Sequence, residues 1–397
     1  MSTVESIKKK LEQDWFDFLK RNSKKLSTNV IDGASPPSVF VGHKGYPKVR
    51  VGPMVPPIHG NTSILDNPEG WTGKSLEEIV NYRMNLIRGI LRSDVNDLSN
   101  KYIESLQEIS MSMNPVESSV TFDKYPLITS NIFSPSKDMT IPSMLTAPVT
   151  KFLSYQVKAD RRIERVHDDS DMKSTDAMLD LYHRGISISQ ISKLLSMGMV
   201  GRKKSRRLVP TRWGISATDQ SISDRLITEI KHFSGVDSYM VFAYFHLANR
   251  YSVILVPSSE WSFEMAESWF DTNGNIAQAS DYEGSKGLRH YPKIAGAYFA
   301  GRLAAVEYLH RVRRLAAVLI LREILPEYVY PLGVWQVREG IRMAMKGRPE
   351  NFSDLGSSLR FVTIGSSVSI REWVRNSRLF REMNSQKRIS DWIKPEY

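Results

Sequence analysis

The segment from Lys193 to Gly214 carries seven cations, Lys193, Arg202, Lys203, Lys204, Arg206, Arg207 and Arg212, and no acid. Like charges at this density repel one another in a folded chain, and an anionic partner relieves the repulsion. Phosphates along a nucleic acid would do so with release of counterions. Simple solvation of a basic loop is the alternative. The run continues into Val209-Pro-Thr-Arg-Trp-Gly-Ile-Ser-Ala-Thr-Asp219. There Arg212 offers a guanidinium fork to a phosphate, Trp213 a face for stacking, and Ser216 and Thr218 hydroxyl donors. The same stretch also reads as a turn with a buried Trp and a capping Thr or Asp. The candidate nucleic-acid contacts are therefore Arg202, Lys203, Lys204, Arg206, Arg207, Arg212 and Trp213.

Four residues are candidates for catalysis: Arg212, Asp219, Glu283 and His290. They would supply a cation, two carboxylates and an imidazole to an enzyme acting on nucleic acid or on a nucleotide cofactor, by nuclease, nucleotidyl-transfer or ADP-ribosyl-transfer chemistry. His167-Asp-Asp-Ser-Asp171 places an imidazole beside three carboxylates. Hard cations take such oxygens, but acidic clusters in polar stretches are ordinarily solvated turns, and no metal is expected. The glycines of Gly42-His-Lys-Gly-Tyr-Pro-Lys-Val-Arg-Val-Gly52 are not a P-loop, because no Gly-Lys-Ser/Thr precedes a helix. They suit tight turns. No catalytic-triad, zinc-protease, Rossmann or kinase signature is present.

Composition narrows the classes. The 397 residues include 54 Lys and Arg against 43 Asp and Glu, a net charge of +11, and no cysteine. Seven of those charges fall in the one acid-free window. Without cysteine there are no disulfides, thiol nucleophiles or thiolate metal sites. The N-terminus has no apolar signal core, and no apolar run reaches the roughly 18 residues of a membrane span. A cytoplasmic protein with no membrane association is expected.

The elements that must position these groups read as a mixed α+β chain, helix-rich in its C-terminal half, with small β-sheets. The expected organisation is an N-terminal helical segment (1–30), a Pro/Gly-rich mixed region with a helix pair and the basic loop (31–215), a helix-rich core region (216–383) and a tail (384–397). Apolar spacing predicts helices over 5–21, 98–111, 174–183, 187–196 and 221–232. Capping boxes at Ser75-Leu-Glu-Glu78 and Ser369-Ile-Arg-Glu372 start two more, the first running through Ile90 and the second to about Glu382. Val39–Val41, Val49–Val51, Tyr239–Leu247 and Tyr251–Val256 read as strands. Residues 260–271 read as a helix. A long helix is expected from Pro292 to about Leu325, buried all round at Leu315–Leu321. The pair flanking Gly185 resembles a helix-turn-helix, whose second helix would offer Ser189, Gln190 and Lys193 to a groove. A plain helical hairpin of the core has the same spacing and is the expectation taken here.

The tail, Gln386-Lys-Arg-Ile389-Ser-Asp-Trp392-Ile393-Lys-Pro-Glu-Tyr397, looks like the clamp-binding (PIP) peptide that docks on the sliding clamp PCNA. One turn would set Ile389, Trp392 and Ile393 on a common side as an apolar plug, with Gln386 reaching a polar pocket. It departs from the pattern at Ile393, where many such peptides have a second aromatic. An ordinary amphipathic C-terminal helix has the same spacing.

Four stretches resemble the archaeal Nre family of DNA repair proteins: Ser35 to Pro53, Val209-Pro-Thr-Arg-Trp213, Tyr291-Pro-Lys-Ile-Ala-Gly-Ala-Tyr-Phe-Ala-Gly-Arg-Leu303, and Pro331-Leu-Gly-Val-Trp-Gln-Val-Arg-Glu339. The resemblance implies a role in DNA damage repair, with PCNA as partner and DNA as ligand. It implies no settled reaction or active site. Some relatives carry a Cys-rich, zinc-like element at the N-terminus. This chain has no Cys, so that element is missing or replaced by the helix at 5–21.

Overall fold

The computed structural model describes residues 3–125, 127–128 and 145–385. The chain divides into two compact units: the first runs through Ile222 and takes in Val329–Gln336, and the second comprises Ser223–Tyr328 and the chain from Val337 onward.

The first unit contains α1 (Thr3–Leu26), β1 (Val30–Ser35), β2 (Val39–Val41), β3 (Lys48–Val55), α2 (Leu76–Met84), β4 (Ile87–Asp94), α3 (Lys101–Ser110), β5 (Val116–Phe122), β6 (Leu127–Ile128), β7 (Leu145–Ser154), α4 (Arg161–Asp168), α5 (Ser174–His183), α6 (Ile188–Ser196) and the first part of α7 (Thr211–Ile230). Its sheet has the order β1-β5-β7-β4-β3-β2, with β6 on β7. Only β4 and β7 pair in parallel. The prolines at 53, 56 and 57 fall at the end of β3 or just beyond it. Buried Val49, Val51, Met54 and Val55 of β3 supply its core face. Helix α1 buries Leu11, Trp15 and Phe18, and both predicted capping boxes form.

The second unit contains β8 (Tyr239–His246), β9 (Asn249–Val256), β10 (Ser262–Phe270), β11 (Ile276–Glu283), α8 (Gly296–Val312), β12 (Ala317–Ile324), most of α9 (Trp335–Ala344), β13 (Glu350–Phe352), α10 (Leu355–Thr363), α11 (Ile370–Asn376) and α12 (Arg378–Ser385). The sheet order is β11-β10-β12-β9-β8-β13. Ile254, Val256, Leu319 and Leu321 of the sheet pack with Leu359, Val362, Trp373 and Phe380 of the C-terminal helices. No helix among the described residues is long and apolar enough to cross a membrane.

The α+β expectation holds, with five corrections to the elements. In one, the helix from Ser369, expected to about Glu382, ends at Asn376, where Ser377 is extended before α12 begins at Arg378. The helix from Ser75 ends at Met84, and Ile87–Asp94 is strand β4. The long helix expected from Pro292 starts at Gly296 and stops at Val312. Arg313 turns the chain in a left-handed conformation, φ 54° and ψ 51°, and Ala317–Ile324 is a central strand, buried at every position. A strand covered on both faces reads as an unbroken apolar run, as a buried helix does. The stretch 260–271 contains not a helix but strand β10 (Ser262–Phe270), whose Glu264 and Glu267 are buried. Their helix propensity gives way to long-range partners: Glu267 accepts from Arg322 at 2.6 Å. Finally, 211–219 is not a turn but the opening of α7.

Candidate nucleic-acid interface

The basic segment hangs from α6. Gly198 and Gly201 turn the chain with φ of 67° and 103°. A single 3-10 turn, Lys203–Ser205, follows, and α7 then begins at Thr211. The far end of the loop is pinned: Leu208 N–H donates to Val95 O at 2.8 Å and Val209 N–H to Ser196 O at 2.9 Å.

The seven cations divide into two kinds. Lys193 is largely covered and donates to Pro37 O at 2.7 Å, with Asp66 at 3.7 Å. Burial pulls its pKa below the ordinary lysine value, against the field of Asp66. Arg206 is a strut: its guanidinium donates to the carbonyls of Gly201 (2.7 Å), His167 (2.8 Å) and Asp169 (2.7 Å). Arg202, Lys203, Lys204, Arg207 and Arg212 are exposed.

Arg202, Arg206 and Arg207 share the wall of a cleft of about 490 Å³ with Lys173 and the first residues of α5, Ser174 and Thr175. Lys173 is the N-cap of α5 and makes no side-chain capping bond. The positive end of the helix dipole therefore adds to the guanidinium charge in the cleft, a combination suited to phosphate. Sequence reading missed Lys173 and this helix end. The only signal was a Lys immediately before a helix start.

Opposite the loop's other end, Val41 N–H of β2 donates to Thr211 Oγ1 at 2.9 Å, which fixes the start of α7. Trp213 is 44% exposed, so the buried-Trp reading of this stretch is wrong. Its ring lies 5.3 Å from that of Tyr46. Ser216 turns back on Arg212 O at 3.4 Å, and Thr218 faces Met178 Sδ in the interior. Neither hydroxyl is offered to a ligand.

The helix pair α5–α6 is core, as expected. Ser189 donates its N–H and hydroxyl to Glu69, at 3.0 and 2.7 Å. Gln190 Nε2 donates to Ser110 O at 2.6 Å. With Lys193 also turned inward onto Pro37 O, the groups a helix-turn-helix would read with are bonded within the unit.

The four catalytic candidates are placed as follows. Arg212 is exposed and Asp219 wholly buried, both on α7. Glu283, in the second unit, is buried. It accepts from Trp261 Nε1 and Arg302 Nη1, each at 2.9 Å. His290 is exposed beyond the end of β11. In the His167–Asp171 cluster, Asp169 accepts the N–H groups of Met172 (2.8 Å) and Asp171 (3.0 Å). These bonds hold its pKa below the ordinary carboxylate value. That is a turn, and among the described residues no group of three or more His, Asp or Glu side chains is placed to hold a metal ion. Gln386, Ile389, Trp392 and Ile393 lie outside the described residues.

No solved structure matches the chain. The family model described as "Archaeal Nre, N-terminal" matches residues 13–273, and "Archaeal Nre, C-terminal" matches residues 283–392. The DNA repair protein NreB of Archaeoglobus fulgidus is 39% identical over 355 residues, 88% of each chain. The DNA repair protein NreA of the same organism is 34% identical over 356 residues, again 88% of each. The DNA repair protein NreA of Haloferax volcanii is 29% identical over 377 residues, 91% of this chain and 89% of the relative. Matched from Gln13 to Trp392 by both halves of the family description, the chain belongs to the archaeal Nre family.

Proposed function

We propose that this chain is a DNA repair factor that grips nucleic-acid phosphates through the 202–213 loop and is tethered to the sliding clamp PCNA by residues 386–397. The observation that carries the binding part is the sorting of the basic segment. Two cations are consumed by the fold, while Arg202, Lys203, Lys204 and Arg207 remain exposed beside a cleft that the α5 N-terminus makes more positive. The repair role is supported by the names of three relatives aligned over most of their length. The tether is supported by the spacing of Gln386, Ile389, Trp392 and Ile393 alone.

The test is a salt titration. Each phosphate contact adds about 0.9 to the slope of log K against log salt on duplex DNA. The combined variant Arg202→Ala, Lys203→Ala, Lys204→Ala, Arg207→Ala is expected to lower that slope by about 3 to 4. Arg206 is left in place because the loop hangs on it. A slope equal to that of the unaltered chain would show that DNA is held elsewhere.

A further inference from the structure

A second cationic surface of the first unit adjoins the loop and has its own geometry. In the β3–β4 pair, Arg50 and Arg92 stand directly opposite one another in the antiparallel register. Like charges in that position destabilise a sheet. Both side chains are exposed, and among the described residues neither makes an ion pair. Lys44, on the turn that leads into β3, and Lys48, the first residue of β3, complete the wall of a cleft of about 480 Å³. Asp94 is the one acid on that wall, and it already accepts from the N–H and side-chain amide of Asn96 at 3.0 and 3.1 Å. The strands alternate cleanly here: Val49 and Val51 face the core while Lys48 and Arg50 face solvent.

The same turn carries Tyr46, which is 45% exposed. It packs against Trp213, with ring centroids 5.3 Å apart and planes inclined by 56°. Two large aromatic side chains, each nearly half open to solvent, thus mark the junction between the 202–213 loop and the β3–β4 cations. Cations alone would suit any phosphate backbone. Exposed rings beside them suit bases that are free to stack, and the bases of a duplex are not.

We propose that Tyr46 and Trp213 form a stacking platform for single-stranded DNA, with the strand's phosphates running onto Lys44, Lys48, Arg50 and Arg92. The proposal rests on the reading of the 202–213 loop as a DNA contact and specifies what that contact prefers: a single strand, or a junction where a duplex opens into one. The loop takes the phosphates of the duplex side, and the platform takes the unpaired bases.

The test uses the full chain and fluorescence anisotropy with three probes: an oligothymidylate of about 20 nucleotides, the matching oligouridylate, and a duplex of the same length. The unaltered chain should bind oligothymidylate more tightly than either other probe. Tyr46→Ala with Trp213→Ala should weaken oligothymidylate binding about ten- to a hundredfold, at the one to three kcal/mol a stacked base contributes, and weaken duplex binding at least about fivefold less. Tyr46→Phe with Trp213→Phe keeps the rings and should restore the single-strand affinity. Arg50→Ala with Arg92→Ala should lower the salt slope for the single strand and leave the melting temperature at or above its starting value, since an unfavourable pair is removed. Equal affinity for duplex and single strand, tighter binding of oligouridylate, or an aromatic double variant that binds oligothymidylate normally would each overturn the platform. The two readings fail separately. If the four-alanine loop variant binds duplex normally while the aromatic variant loses the single strand, the loop reading falls and the platform stands. The reverse pattern removes the platform and leaves the loop.

Discussion

Glu283 illustrates how a residue type can point to chemistry and serve packing. A carboxylate in a basic chain invites a catalytic role, yet both its oxygens are occupied, one by Trp261 Nε1 and the other by Arg302 Nη1. Arg302 is itself buried, and its other terminal nitrogen reaches Asp224 at 2.6 Å. A buried ion pair contributes little net stability over an apolar pair of the same shape, but losing one partner strands the other charge in a low dielectric. Arg302→Met is therefore expected to cost about 3–5 kcal/mol in urea denaturation. Adding Glu283→Gln should recover part of that loss, because the orphaned carboxylate is gone. Additive losses in the double variant would mean that the two groups are not energetically coupled. Arg206 belongs with them: sequence alone makes it one more cation of a run, and only its three carbonyl partners reveal a strut.

At the scale of elements, the placement of Trp213 depends on how closely α7 approaches α6. Gly214 makes that approach possible: a Cβ there would lie 2.5 Å from Ser196 Oγ and 3.2 Å from Ser192 O. The Ser196 hydroxyl can rotate away, but the Ser192 carbonyl cannot. Gly214→Val is expected to destabilise the chain by about 1–3 kcal/mol through overpacking, and Gly214→Ala by less. Thermal unfolding compares the two, and a valine variant as stable as the parent would show that the helices can part freely. The elements also show what the sequence discloses. Helices with one apolar face and a cap, such as α2, α3, α6 and α11, announce themselves, as do the alternating strand β3 and the hairpin of β8 and β9. Strand β12 does not, because burial on both faces erases the period. The break before it, at Arg313, uses a left-handed residue that is neither Gly nor Asn, so no turn signal marks it. Strand β10 is hidden by Glu264, Met265, Ala266 and Glu267, a helix-favouring run. Glu264 instead accepts from Ser377 Oγ and from the N–H groups of Arg378 and Leu379, at 2.7 to 2.9 Å. Of the candidate site, the loop was legible as a charge run. The pairing of Tyr46 with Trp213 was not, because the two are far apart in the chain and meet through tertiary packing, in which the bond from Val41 N–H to Thr211 Oγ1 takes part.

At the scale of the whole molecule, the net charge of +11 is a poor guide to where a polyanion would lie, because cations of one run serve different ends. Lys193 and Arg206 hold the fold, whereas Arg202, Lys203, Lys204, Arg207 and Arg212 meet solvent. The contact proposed for DNA is thus confined to the first unit, and the contact proposed for the clamp to residues 386–397. If the two act on separate ligands, they can be removed independently, and together they act by effective concentration rather than by any new contact. Deleting residues 386–397 is expected to abolish capture by immobilised clamp while leaving DNA affinity measured without clamp within about twofold. Trp392→Ala should reproduce most of the clamp defect, costing ~2 kcal/mol or more as the largest apolar anchor of the peptide. On DNA already encircled by the clamp, the full chain should bind about a hundredfold tighter than on naked DNA, and the truncated chain no tighter. Calorimetry showing full clamp affinity after truncation would place the clamp contact before residue 386 and remove the tether. A truncated chain that still gained affinity on encircled DNA would do the same.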